Sequence, residues 1–169
     1  NSRIQTGIAS AERVFSLMER EQKIKQQDDP VPFGSFHDKI EFRNVCFSYE
    51  KGIPVLSEVS FSLGKGEILA LVGPSGGGKS TIADLIPRFY DPDSGSVLID
   101  GSDLRTIDIE ALRKNLGVVT QETVLFNDTV RNNIAYGENS ISIEKISLAA
   151  ETANALEFIK ELPDGFNTM

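Results

Sequence analysis

Between Leu69 and Ile86 the sequence reads LALVGPSGGGKSTIADLI. An apolar run breaks into a loop with four glycines, passes through Lys79, Ser80 and Thr81, and resumes with apolar residues at helical spacing. Glycine loses more backbone freedom on folding than any other residue, so such a loop is costly unless bare backbone has a task there. Residues 73–80 match the pattern G-x-x-x-x-G-K-[ST], and the setting is the one that pattern requires, a strand before and a helix after. From average residue usage, a chance match in a chain this long is on the order of one in a hundred or less. The stretch restricts the fold to an α/β arrangement in which a strand, a loop and a helix follow one another.

The residue types explain one another chemically. Consecutive backbone N–H groups turned inward bind phosphate oxygens, and a Cβ at Gly76, Gly77 or Gly78 would obstruct the approach. Gly73 and Ser75 complete the loop. A helix that starts at Lys79 turns its first N–H groups and its dipole toward the same oxygens. Lys79 is long enough to reach β- and γ-phosphates, Ser80 offers a hydroxyl to Mg²⁺, and Thr81 can bond an α-phosphate. A glycine-rich turn without a ligand accounts for neither the lysine nor the paired hydroxyls. The loop alone still admits kinases, GTPases, helicases and transport motors.

Composition narrows the field. The formal charge of -8 over 169 residues argues against a whole-surface affinity for nucleic acid or an anionic membrane. It leaves room for a local positive site. The single cysteine, Cys46, cannot form an internal disulfide and reads as a small hydrophobe buried in a strand. The single histidine, His37, reads as a loop residue, and with no cysteine–histidine cluster a zinc site or histidine triad is excluded. No apolar run is long enough to span a bilayer. The first residue is Asn1, which suggests a chain cut from something longer.

Along the chain, Ile4, Ile8, Ala11, Phe15 and Met18 form one helical stripe. It suits either a helix packed on its own domain or the end of a helix from a preceding one. Residues 21–37, charge-rich with two prolines, read as a linker. From Asp38 the apolar residues alternate, with a one-residue shift between Phe42 and Val45 that predicts a bulged strand. Residues 55–73 predict two strands around a turn at 64–67. A helix follows Lys79 and ends near Pro87. Further along come a turn at 91–95, a strand at 96–101, a helix at 109–115 and a strand at 116–121. Residues 141–162 read as one helix closed by Pro163 and Gly165.

The stretches IEFRNVCFSYE (40–50), GPSGGGKST (73–81), FYDPDSGSVLIDG (89–101) and LGVVTQETVLFNDTVRNNIAYG (116–137) together resemble the nucleotide-binding domain of ATP-binding cassette (ABC) transporters of the exporter type. The resemblance runs from about Ile40 to the last residue. It implies a P-loop NTPase core with an N-terminal antiparallel β subdomain, and the start of an α-helical subdomain near residue 130. Residues 38–169 would then be the N-terminal portion of that domain, an incomplete ABC ATPase fold. Residues 1–20 resemble the tail of a preceding transmembrane-domain helix.

The resemblance also implies roles. Tyr49 falls at the aromatic position that stacks on adenine, and Val55 at one that touches the nucleoside. Gln121 falls where a glutamine reaches Mg²⁺ and the attacking water, so Lys79 and Gln121 would serve catalysis, and Ser80 and Gln121 the metal. The loop through Val124, Leu125 and Phe126 would meet the transmembrane domain, although an apolar trio suits a core equally well. Implied partners are a second nucleotide-binding domain, arranged head to tail, and that transmembrane domain, with no nucleic acid. The implied location is the cytoplasmic face of a membrane, the bacterial inner membrane. Asp100 ends an apolar strand and imitates a Mg²⁺-binding aspartate, but in the family its segment is a structural strand and turn. The family's signature motif, metal-binding aspartate, catalytic glutamate and switch histidine follow later in its pattern and are not in this sequence. The expectation is therefore the ATP-binding part of an exporter that hydrolyses ATP as a whole. The alternative, for this chain alone, is a non-hydrolysing nucleotide-binding or assembly module.

Overall fold

Alternating apolar residues build the sheet. The structure, a computed structural model, describes residues 2–18, 24–120, 123–138 and 140–169. Strand β1 (Lys39–Phe47) lies between β2 (Leu56–Gly64) and β3 (Ser94–Ile99), and a short β4 (Ser102–Asp103) extends the far edge. The order is β2-β1-β3-β4 and every pairing is antiparallel. The expected bulge is present. Phe42 pairs with Phe61 and Val45 with Val59, with the register shift between them at Asn44, whose φ is 47°. That shift returns Phe42, Val45 and Phe47 to one buried face. Cys46, half-buried, points the other way, and its sulfur accepts a hydrogen bond from the Glu58 amide at 3.3 Å. Cys46 is thus in a strand as expected, but only partly buried.

Helices α2 (Lys79–Leu85) and α3 (Ile109–Lys114) cover this face, with Leu85 and Leu112 buried among Phe42, Val45, Phe47, Leu56, Val97 and Ile99. The core therefore anchors the C-terminal end of α2, and the glycine loop leads into its other end. Asp108 caps α3, accepting from the Ala111 amide at 2.7 Å.

Two expected strands do not form. Neither 68–72 nor 116–120 is a strand among the described residues. Ile68, Val72 and Val119 are more than nine-tenths exposed. Both runs are apolar on consecutive residues, the pattern of a strand covered on both faces. Such a strand has little stability without neighbours on its edges and cover on its faces, and the described residues provide neither.

The amphipathic stripe at the start is on helix α1 (Ser2–Met18), but Ile8, Phe15 and Met18 are all more than half exposed. These three are not packed as a core face. The segment after it is held in place. Val31 bridges Ile107, donating to the Thr106 carbonyl at 2.8 Å and accepting from the Asp108 amide at 3.0 Å.

The chain divides into two compact units, Asn1–Gly117 and Val118–Met169. The second contains α4 (Val130–Ile134), α5 (Ile143–Thr152), α6 (Leu156–Glu161) and a 3-10 turn at Gly165–Asn167. Its core is Ile146, Ala150 and Ile159. The single helix expected over 141–162 is two. Asn154 takes a left-handed conformation at φ 55°, and the Ala155 amide closes on the Ala150 carbonyl at 2.8 Å. That is a helix stop made by asparagine, the residue other than glycine that tolerates this backbone best. No described helix is long and apolar enough to cross a membrane.

Candidate functional site

The loop 73–80 holds its shape through glycine. Gly76 and Gly78 have φ of 80° and 79°, where an ordinary side chain is strained. At Gly78 space is lacking as well, since a Cβ would lie 2.7 Å from Leu56 Cδ2 and 3.2 Å from the Val55 carbonyl. Gly78 precedes α2 without a side-chain cap, so the first amides of the helix keep no side-chain partner of that kind. Lys79 turns back over the loop. Its Nζ donates to the Gly73 carbonyl at 3.0 Å and to the Pro74 carbonyl at 2.6 Å. The ammonium is therefore held at the loop's own curve. Ser80 is exposed on the first turn. Gly73 and Ser75 are exposed, as is Gly77.

Thr81 is buried, and its Oγ1 is 3.1 Å from the Tyr49 hydroxyl. This hydrogen bond places the Tyr49 ring beside the first turn of α2. Phe47 and Tyr90 support that ring edge to face, at centroid separations of 4.9 and 5.2 Å. Tyr49 remains about half exposed (48%), so an aromatic surface stays open near the loop. Val55 is half-buried beneath Gly78, close enough that its carbonyl and Cγ1 crowd that position. Tyr49, Val55 and 73–81, scattered over thirty residues of sequence, are thus one neighbourhood.

Gln121 lies outside the described residues. Of the trio after it, Val124 and Leu125 are about three-quarters exposed, which removes the core reading for them. Phe126 stacks on Tyr136 at 4.2 Å, and its backbone is tied by the Asn133 side chain, which accepts from its amide and donates to its carbonyl.

Asp100 has a structural task. Its carboxylate accepts from the amides of His37, Asp38 and Lys39 at 2.8, 2.7 and 3.1 Å. Burial pushes this carboxyl up, but the three amide bonds outweigh it, and the group titrates below the ordinary aspartate range. Its oxygens are committed to backbone, in line with the structural reading from sequence. His37 is exposed in that loop, its Nε2 2.8 Å from the Ser35 hydroxyl. Among the described residues no group of three or more His, Cys, Asp or Glu could hold a metal ion.

Sequence reasoning gave no role to Arg88 or Tyr90. Arg88 is a buried cation with φ 54°, paired with Asp91 through Nε at 2.8 Å and Nη2 at 3.2 Å. It also donates to the carbonyls of Arg105 and Lys25. The signal was the run RFYDP just past a helix end, where two opposite charges and two aromatics stand beside a turn.

Comparison with known proteins decides the family. The model of the ABC transporter family matches residues 56–167. The chain belongs to that family. It is 49% identical, over 99% of its length, to an ATP-dependent lipid A-core flippase of Desulfotalea psychrophila. It is 48% identical, over its whole length, to the protein of that name from Syntrophus aciditrophicus. Among solved structures, a bacterial Atm1-family ABC exporter with ATP bound superposes with a TM-score of 0.86 at 39% identity, over 98% of this chain. The fold is that of an ABC ATPase domain, as expected. The chain spans less than a third of these relatives' lengths, 29%, 28% and 29% respectively.

Proposed function

We propose that this ABC family chain binds ATP with Mg²⁺, as the ATP-binding part of an exporter that hydrolyses ATP to move a solute or lipid across a membrane. The observation that carries the reading is the shape of the loop, with left-handed glycines and the Lys79 ammonium at its curve, next to the open ring of Tyr49. In this reading Tyr49 stacks on the base, and Val55 touches the nucleoside. Gly73, Ser75, Gly76, Gly77 and Gly78 present backbone to the phosphates. Lys79 leaves the Gly73 and Pro74 carbonyls to neutralise the terminal phosphates, and Thr81 bonds the first. Oxygen donors suit Mg²⁺, which commonly takes few protein ligands beside phosphates and water. Ser80 and Gln121 would hold it, and the ion would supply charge neutralisation there.

The proposed partners are a second copy of this domain type, arranged head to tail, and a transmembrane domain. The exposed Val124 and Leu125, in the loop around Gln121–Phe126, favour docking of the latter there. The exposed stripe of α1 favours a helix that continues from such a domain, which would set the chain at the cytoplasmic face of a bacterial inner membrane.

For the chain alone the reading is binding without turnover. Phosphoryl transfer needs an oriented water and charge stabilisation in a dry site, and this reading assigns no carboxylate of the chain to polarise that water. Isothermal titration of the 169-residue chain with Mg·ATP is expected to give binding that Lys79→Ala abolishes, while a phosphate-release assay shows no turnover. Folded wild-type material that takes up no Mg·ATP would overturn the binding; turnover that Lys79→Ala removes would overturn the second half.

A further inference from the structure

The segment that leads into the domain reaches the proposed base site. A cavity of about 370 Å³ is lined by Ile24 together with Phe47, Tyr49 and Tyr90, and by the acidic Asp91 and Asp93. Its volume is within the range of small-ligand pockets, and its aromatic walls meet at nearly a right angle, 87° between Tyr49 and Tyr90. Ile24 is the aliphatic wall, and it comes from a part of the chain with no other counterpart in the site.

Ile24 is placed by a clamp. Two residues on, the Gln26 amide both donates to the Ile107 carbonyl at 3.2 Å and accepts from the Ile109 amide at 2.8 Å. Between them, the Lys25 carbonyl accepts from Nη2 of the buried Arg88 at 3.2 Å. The backbone bridge at Val31 secures the same segment farther along. A carboxamide that uses both ends on one stretch of backbone is an orientation device, because neither bond survives a shift of the segment. Arg88 ties the clamp to the site from the other side. It follows α2, whose first residue is Lys79, and precedes Tyr90 by two.

We propose that Ile24 is a third wall of the nucleobase pocket, held there by Gln26 and Arg88, so that nucleotide binding and the seating of residues 24–31 stabilise each other. The proposal rests on the reading of Tyr49 as the base-stacking residue. A base slotted against Tyr49 and Tyr90 covers the Ile24 side chain, and apolar surface removed from water there favours the seated segment. By linkage, loosening the segment weakens the base and leaves the phosphates unaffected.

Titrations with Mg·ATP and with Mg·tripolyphosphate separate the two contributions. Ile24→Ala is expected to raise the Kd for ATP about tenfold and leave that for tripolyphosphate unchanged. Ile24→Val restores most of the loss, and Gln26→Ala weakens ATP in the same direction. Amide exchange over 24–31 is expected to slow with ATP but not with tripolyphosphate. Should Ile24→Ala bind ATP as the wild type does while Tyr49→Ala does not, the third wall is wrong and the base site stands. Should Tyr49→Ala also bind ATP normally, the base site itself is wrong, and the inference goes with it.

Discussion

Two residues show how single positions carry this domain. Asp100 follows β3 with φ 50° and gathers three amides where the chain enters β1. Hydrogen bonds to an ionised group are worth more than neutral ones, and removing the acceptor leaves three donors to find water. Asp100→Ala is expected to cost about 2 kcal/mol at pH 7, read by urea denaturation. The sign with pH follows from the depressed folded value. The carboxylate's contribution is complete above the ordinary aspartate range and is lost as pH falls through the lower value of the folded state. The stability gap between wild type and Asp100→Ala should therefore narrow on acidification, and a gap that is constant from pH 7 to pH 3 would refute the role. Gly78 is constrained twice, by φ 79° and by Leu56 at 2.7 Å from a Cβ. Gly78→Ala is expected to lower stability by at least about 1 kcal/mol, and to weaken Mg·ATP as the loop is forced open.

At the scale of elements, the helix break at Asn154 is the clearest case of local chemistry overriding periodicity. Residues 141–162 keep helical spacing throughout, and alanines on both sides of Asn154 favour helix, yet the chain turns left-handed there. The turn is stabilised by the Ala155 amide closing on Ala150, with Ile146, Ala150 and Ile159 brought to one core. Asn154→Gly should leave the thermal midpoint nearly unchanged, while Asn154→Val should cost about 1–2 kcal/mol because a β-branched residue resists this backbone. If Val is tolerated like Gly, the break is not set by this residue. The sheet, by contrast, was legible. Alternation marked β1, its one-residue slip marked the bulge, and the turn at 64–67 marked the end of β2. The pattern could not tell whether the apolar runs at 68–72 and 116–120 would find strand partners, since consecutive apolar residues mark a segment that needs cover without naming what provides it.

At the scale of the whole molecule, each of those runs leaves apolar side chains exposed. Ile68, Val72 and Val119 are nearly fully exposed, and long exposed apolar segments favour association. The chain is expected to bind a hydrophobic dye such as ANS and to self-associate at high concentration. Ile68→Lys with Val119→Lys should reduce both without lowering the thermal midpoint, as neither residue contributes to the buried core; an unchanged dye signal would show that these runs are not what binds it. The loop 73–80 and the chemistry of its residues were determined by sequence alone, because glycines, a lysine and hydroxyls at fixed offsets act locally through backbone geometry and side-chain reach. The resemblance implies a base-stacking role for Tyr49 and leaves its neighbours unnamed. Tertiary structure decided what lies around it. Tyr90 supports Tyr49, Asp100 spends its oxygens on backbone, and Arg88 is buried against Asp91 and the carbonyl of Lys25. A segment that composition marked as a linker is clamped by Gln26 onto residues more than eighty positions away. These contacts join residues remote in sequence, and no local spacing records which distant backbone a polar side chain will find once the sheet and helices have packed.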